Sequence, residues 1–300
     1  MIAALSIALG AVSLAVDSAG RAVNGHPAEW AYVAGGALIT GLSLRQELGW
    51  WRKQLPFDPV VLVAIQLGIG LVFRWAYYLW SGLGTDPAAY RPDTLLTPFR
   101  TELPILAVAL AAVGLGVSRG WRPAVDRLGL TPPTFSQLFV ALGVAVVFSA
   151  SGIIANQLTY RLTPGAYYNI VQVGYLTYFS LPIWGYWILA ALAGLCEESL
   201  FRGALQPRAG ILITAILFAT IHIQYGFTPI LAMVFIHGIG YGLLRRYMST
   251  TTSIMAHASY DAFTFRWQYD LVWAGILVAV VIVSTLVRRR FSFTPRLQES

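Results

Sequence analysis

Charged residues are scarce in this chain. Of its 300 residues, only 11% are Asp, Glu, Lys or Arg, whereas 57% are hydrophobic, and the mean hydropathy is +0.66. A typical soluble domain has about 25% charged residues. The shortage of charge therefore argues against an ordinary soluble protein. It predicts a single integral membrane domain, most of whose surface contacts lipid.

Cysteine and lysine are also nearly missing. The single cysteine, Cys196, excludes an internal disulfide. Lys53 is the one lysine among 20 basic residues, and such a preference for Arg is typical of GC-rich prokaryotic genomes, so we expect a prokaryotic plasma membrane. No basic region precedes the apolar run Ile2–Val16, which we therefore interpret as a retained first span and not as a cleaved signal peptide.

The sequence has no helix-turn-helix, zinc-finger or RNA-binding signature. Its net charge of +7 comes from short Arg clusters between apolar segments, a pattern typical of the loops of a membrane protein. We therefore expect a lipid bilayer and no nucleic acid as partner.

Long apolar runs dominate what is present. A membrane span needs roughly 20 residues, and some of the runs are shorter than this. The pattern predicts an all-α, polytopic transmembrane helix bundle of about 8–10 segments. The segments are Ile2–Val23, Trp30–Leu44, Pro59–Trp80, Leu103–Val117, Phe135–Ile154, Tyr175–Leu205, Ala209–His222, Pro229–Leu244, Thr251–Phe265 and Leu271–Val287.

The Arg clusters predict an orientation. With ten segments, the clusters fall in loops on one side, which the positive-inside rule assigns to the cytoplasm. Both termini are then cytoplasmic. Ser81–Arg100 and Asn156–Gln172 are the loops predicted on the opposite side.

Two adjacent acids, Glu197 and Glu198, interrupt the apolar run LAALAGLCEESLFRGAL. One acidic residue at the centre of a membrane helix costs roughly 2.5–3.5 kcal/mol, so the pair indicates a functional site. Residues four apart share a helix face, so Glu198 is expected to pair with Arg202. Glu197 points about 100° away and is left free. The alternative is a structural salt bridge with Glu197 at the membrane interface.

Two further residue pairs and one single histidine follow. Phe218 and His222 are four apart, and so are His257 and Asp261, so each pair shares a face. A predicted turn at Gln206–Gly210 would place Glu197 and His222 level with each other, roughly 18 Å from the turn. His257 and Asp261 can reach the same depth, which predicts a polar cavity inside the C-terminal helices. His237 is alone in an apolar helix, where a packed core residue is the more common outcome, and we consider it a possible second-layer residue.

This set of residues permits two kinds of chemistry. A carboxylate and an imidazole can activate a water as general base and acid. Alternatively, Glu197, His222, His257 or Asp261 could hold a divalent metal that activates the water. The HExxH motif of zinc peptidases is absent, and we expect no cofactor.

The pattern EExxxR, then FxxxH, then HxxxD resembles the CAAX-protease and bacteriocin-processing (CPBP, or Abi) family of intramembrane glutamic endopeptidases. The matching residues lie within Leu181–Phe265, and DRLGL at Asp126–Leu130 is a weaker shared feature. The resemblance implies a division into N-terminal transmembrane helices (1–172), a catalytic transmembrane core (173–290) and a short cytoplasmic tail (291–300).

The resemblance also implies roles. Glu197 and His222 would activate a water, His257 and Asp261 would form the oxyanion site, and Glu198, Arg202 and Phe218 would support it, with no metal required. Eukaryotic prenyl-processing members of the family have Asn where this chain has Asp261. An ionised carboxylate repels an oxyanion, so Asp261 is protonated, orients His257 or holds a metal.

The resulting hypothesis is a glutamic-type intramembrane peptidase, a hydrolase that cleaves a membrane-anchored peptide or protein. Candidate substrates are prenylated C-terminal peptides, bacteriocin-like leaders and surface proteins with C-terminal anchors. The main alternative is a non-proteolytic scaffold or immunity-type protein that binds a partner in the same cavity. A proton relay or transporter is a further alternative, because intramembrane Glu, His and Asp are typical of both.

Overall fold

The computed structural model describes residues 86–90, 94–116, 119–177, 181–265, 279 and 281–286. The predicted segments Ile2–Val23, Trp30–Leu44 and Pro59–Trp80 lie outside this part, as does most of Leu271–Val287. The described part is helical and contains no strand. Its helices are α1 (Thr97–Ala112), α2 (Trp121–Leu128), α3 (Phe135–Leu162), α4 (Pro164–Thr177), α5 (Ile183–Glu198), a π-helix (Ser199–Leu205), α6 (Gln206–Ile221), α7 (Pro229–Tyr247) and α8 (Thr250–Phe265). The prediction of an all-helical protein is confirmed for these residues.

Helix α3 has the features of a membrane span. Thr134 begins it with a capping box, in which its hydroxyl accepts from the Gln137 N–H and the Gln137 side chain accepts from the Thr134 N–H. Its 28 residues reach about 42 Å, more than the roughly 30 Å of a hydrocarbon core. The exposed side chains along it are largely apolar, including Phe139, Val146, Val147, Ile153 and Ile154. Such a surface suits lipid and would be unfavourable in water.

Two helical runs in the described part are long and apolar enough to cross a membrane, Phe135–Leu162 and Ile183–Ile221. The second run has 39 residues and is not straight, because it contains the π-helix and a break at Gly210. Gly210 has φ 79° and ψ 171°, a conformation that only glycine adopts easily.

Two boundaries differ from the prediction, and a third agrees with it. The loop predicted at Asn156–Gln172 is helical, because α3 continues to Leu162 and Pro164 starts α4, a first-turn position where proline is favoured. The segment predicted as Tyr175–Leu205 is divided, since α4 ends at Thr177 and Pro182 precedes α5. The turn predicted at Gln206–Gly210 agrees with the structure, because the second helical run breaks at Gly210 and the ring centroid of Phe218 then lies 4.4 Å from the guanidinium of Arg202.

The central helix of the described part is α8, which packs against α3 on one side and α5 on the other. Helix α1 packs on α5 and the π-helix, while α6 packs chiefly against α7 and the π-helix. Small residues allow the close contacts: a Cβ added to Gly194 of α5 would lie 2.9 Å from the Ile254 carbonyl oxygen of α8. Close backbone approach at small residues is how membrane helices associate.

Gly194→Leu is expected to separate α5 from α8 and to lower the free energy of unfolding by about 1–3 kcal/mol, because the added side chain meets backbone atoms of α8 that cannot move aside. The matched control is Ala191→Leu, on the exposed side of α5, which should unfold like the wild type. Detergent-solubilised protein titrated with SDS provides the measurement. Equal unfolding of the two variants would contradict the close contact.

Candidate active site

Glu198 lies at the centre of the buried polar network. Its Oε2 is 3.1 Å from Nε of Arg202, and its Oε1 is 3.0 Å from Nδ1 of His257. The side chains of Glu198 and Arg202 are completely buried. Arg202 also donates from Nη2 to the Gly238 carbonyl oxygen at 3.1 Å. The i,i+4 pair expected from the sequence is thus present, and Glu198 in addition joins α5 to α8.

The ion pair spans a change of helix type. Glu198 is the last residue of α5, and Arg202 lies in the π-helix that follows it. The π-helix is entirely buried, and a Cβ on its Gly203 would lie 2.8 Å from the Leu128 carbonyl oxygen of α2. Single π-turns inside helices occur frequently at functional sites.

The ring of Phe218 brings the three motifs together. The Arg202 guanidinium lies 4.4 Å from the ring centroid, within the range of a cation–π contact. The centroids of His222 and His257 lie 4.9 and 5.7 Å from it. One aromatic side chain therefore contacts a member of each motif.

His222 lies where α6 ends, as the residue that follows Ile221. Its Nδ1 is 2.9 Å from the Phe218 carbonyl oxygen. A carbonyl oxygen can only accept, so Nδ1 carries the hydrogen and, in the neutral ring, Nε2 is the acceptor nitrogen. The imidazole is partly exposed, so Nε2 is able to take a proton from another molecule.

Glu197 is buried, with 8% of its surface exposed. Among the described residues, no donor forms a hydrogen bond to its Oε2. The neighbouring charged groups that act on it are Glu102, His257, Asp261 and Glu198. A buried carboxylate oxygen without a donor is costly, and it is free to accept from a water or a substrate.

Glu102 was not identified from the sequence. It lies on α1, which packs against α5, and only 7% of its surface is exposed. Its Oε1 accepts from the Thr101 hydroxyl at 3.2 Å. The apolar segment predicted at Leu103–Val117 began one residue later and left Glu102 outside. An acid directly before an apolar run is the sequence feature that could have identified Glu102 as a candidate site residue.

His257 lies between two carboxylates. Its Nδ1 faces Glu198, and its Nε2 is 3.5 Å from Oδ2 of Asp261 one helical turn further along α8. When both nitrogens carry hydrogens, the ring is a cation, and the group Glu198, Arg202, His257 and Asp261 has two charges of each sign. Balanced charge of this kind reduces the cost of burying the cluster.

His237 packs between α7 and α3 and has partners of its own there. Its Nε2 is 2.8 Å from the Ser151 hydroxyl, and its ring stacks on Phe148 with centroids 3.9 Å apart. Ser151 also donates to the Phe148 carbonyl oxygen at 2.8 Å. The serine hydrogen is therefore already used, so the His237 nitrogen is the donor, and the contact differs from a nucleophilic Ser–His pair.

No group of three or more His, Cys, Asp or Glu side chains within the described ranges is arranged to hold a metal ion. Cys196 is a completely buried thiol next to Glu197.

Comparison with known proteins supports this assignment of motifs. Residues 179–263 match the family model described as Rce1-like, type II CAAX prenyl endopeptidase Rce1-like. The matched region contains Glu197, Glu198, Arg202, His222, His257 and Asp261, and it confirms the resemblance predicted from the three motifs. No curated protein and no solved structure matches the chain.

Proposed function

We propose, on the premise that residues 179–263 form an Rce1-like region, that the chain is an intramembrane endopeptidase of the glutamic type. The family implies a protease and a membrane-associated peptide substrate. Glu197 and His222 are proposed to activate the water that hydrolyses the peptide bond. The observation that carries the proposal is the buried Glu197 Oε2, which has no hydrogen-bond donor among the described residues.

The first step uses two acceptors. A water donating one hydrogen to Glu197 and the other to Nε2 of His222 directs its lone pair at the carbonyl carbon of the substrate. As the carbon–oxygen bond forms, Glu197 takes a proton from the water. General-base assistance of this kind contributes about 10²–10⁴-fold to a rate.

The second step needs a donor for the oxyanion and a proton for the amine. We propose His257 Nε2 as the donor, because Glu198 fixes the opposite nitrogen at 3.0 Å. Asp261, 3.5 Å from that Nε2, would orient the ring and balance its charge. Of the three roles considered for Asp261, orientation of His257 fits the geometry best. When the carbon–nitrogen bond breaks, the proton held by Glu197 passes to the leaving amine.

The membrane architecture is part of the proposal. The apolar exposed face of α3 and the two candidate spans support a membrane protein. We also propose, from the sequence patterns, a bundle of 8–10 segments with both termini in the cytoplasm. The same patterns are the basis for proposing a prokaryotic plasma membrane and a division of the chain at residue 172.

His222→Gln is expected to lower cleavage of a membrane-tethered peptide by about 100-fold or more, because an amide cannot act as a base. Purified protein reconstituted in liposomes with a fluorogenic peptide gives the rate. The matched control is Gln224→Ala, two residues further along, which should cleave normally. If His222→Gln and a Glu197→Ala variant both retain biological function in a complementation assay, the protein acts as a scaffold and the peptidase proposal fails.

A further inference from the structure

A groove of about 330 Å³ lies at the junction of α6 and α7, away from the residues discussed above. It is lined by Gln206, Pro207, Gly210, Ile211, Arg245 and Arg246. Ile211 and His222 are separated by roughly 16 Å along α6. The groove is therefore at the opposite end of the helix from the candidate active site.

Arg245 is a partly buried cation that forms no ion pair with an acid of the described residues. Its guanidinium lies over the backbone of Gly129, where a Cβ would be 2.7 Å from Cζ and Nη2. Its Nε is buried and has no hydrogen-bond partner within the described ranges. The charged group that acts on it is a second cation, Arg127. Buried charges are normally paired, as Arg202 is with Glu198. A bound anion would give Arg245 the partner that it lacks among the described residues.

Gly129 allows the guanidinium of Arg245 to lie this close to the backbone. It closes α2 with φ 71°, a left-handed conformation that favours glycine, and the absence of a side chain leaves room for the guanidinium. Arg246, next to Arg245, is exposed and lines the same groove. The end of α7 therefore supplies two basic side chains to a single groove, and the contact of Arg245 with Gly129 ties that end to α2.

We propose that this groove binds a phosphoryl group. A guanidinium donates two parallel hydrogen bonds to a phosphate, which makes Arg the preferred residue for such ligands. Basic pockets between membrane helices bind anionic headgroups, and the orientation proposed above places this end at the cytoplasmic leaflet. Gln206 donates its Nε2 to the Gly242 carbonyl oxygen at 2.8 Å and keeps a buried Oε1 without a donor. That acceptor favours a phosphoryl ligand that carries a hydroxyl group.

Two sources share this chemistry, an anionic lipid headgroup and free phosphate. Full-length protein in a neutral detergent would be titrated with dihexanoyl phosphatidylglycerol, with inorganic phosphate and with zwitterionic dihexanoyl phosphatidylcholine, and binding followed by the shift in thermal unfolding temperature. We expect the phosphatidylglycerol to bind, and Arg245→Gln to weaken that binding at least tenfold. Binding of inorganic phosphate with the same dependence on Arg245 would identify free phosphate as the source.

Two further variants separate binding from folding. Arg246→Gln changes an exposed side chain, so it should weaken binding while the unliganded protein unfolds at the wild-type temperature. Arg161→Gln, exposed at the end of α3, should bind like the wild type. Absence of binding by both anions, or equal binding to wild type and Arg245→Gln, would overturn the proposal. Because Glu197→Gln should bind the lipid normally, the outcome is independent of the proposed peptidase activity.

Discussion

Glu197→Gln is expected to reduce peptide cleavage by about 10²–10⁴-fold. The amide has nearly the shape of the carboxyl group, so the surrounding packing is retained, but it cannot accept the proton of the attacking water. The free Oε2 of Glu197 is the acceptor that the proposed first step requires. Single-turnover cleavage of a membrane-tethered peptide by purified protein in liposomes measures the effect on the chemical step.

Cys196→Ala is the matched control for this experiment. The thiol is adjacent in sequence and completely buried, and an adjacent carboxylate disfavours the thiolate that a nucleophile would need. We expect this variant to retain the cleavage rate. A Glu197→Gln protein that cleaves within a factor of about three of wild type, against the loss expected for a general base, would rule out Glu197 as the base. Loss of activity in Cys196→Ala with an intact fold would point to thiol chemistry.

Arg202→Ala is expected to lower the free energy of unfolding by about 3–5 kcal/mol, the cost of leaving one partner of a buried ion pair uncompensated. Glu198 would keep its charge in a completely buried position. The variant would also lose the bond to the Gly238 carbonyl oxygen and the contact with the Phe218 ring. An SDS titration of detergent-solubilised protein, followed by circular dichroism, provides the unfolding energy.

Two variants calibrate this result. Arg161→Ala removes an exposed arginine, and surface changes of this kind usually alter stability by less than about 0.5 kcal/mol. Arg202→Lys keeps the charge but cannot reproduce the planar, multi-donor geometry, so we expect an intermediate loss. If Arg202→Ala unfolds at the same SDS concentration as the wild type, the buried ion pair does not stabilise the fold.

The local pairs of the candidate site could be predicted from the sequence because helical geometry fixes them. Residues four apart on a helix share a face, so Glu198 with Arg202 and His257 with Asp261 followed from the spacing once the segments were predicted to be helical. The same geometry brings the Nδ1 of His222 to the Phe218 carbonyl oxygen.

The contacts between helices could not be predicted in this way. The bond between Glu198 and His257 joins residues 59 apart and depends on the close approach of α5 and α8 at Gly194. The sequence predicted an ion pair of Glu198 with Arg202, and in the structure Glu198 also positions His257. The depth argument assumed straight helices on both sides of a turn at Gln206–Gly210. The break at Gly210 lies within that turn, but the helix before it changes to a π-helix at Ser199–Leu205. The π-helix packs against α2 and α7, and these contacts between distant parts of the chain have no local sequence pattern.

The position of Phe218 constrains how the sequence of this protein can evolve. Its ring touches Arg202, His222 and His257, so a substitution at any one of them alters the surroundings of the other two. Effects of neighbouring substitutions that share a contact are not additive. Variation in the three motifs is therefore epistatic, and a sequence that loses Phe218 alters the surroundings of all three before any acid or base has been replaced.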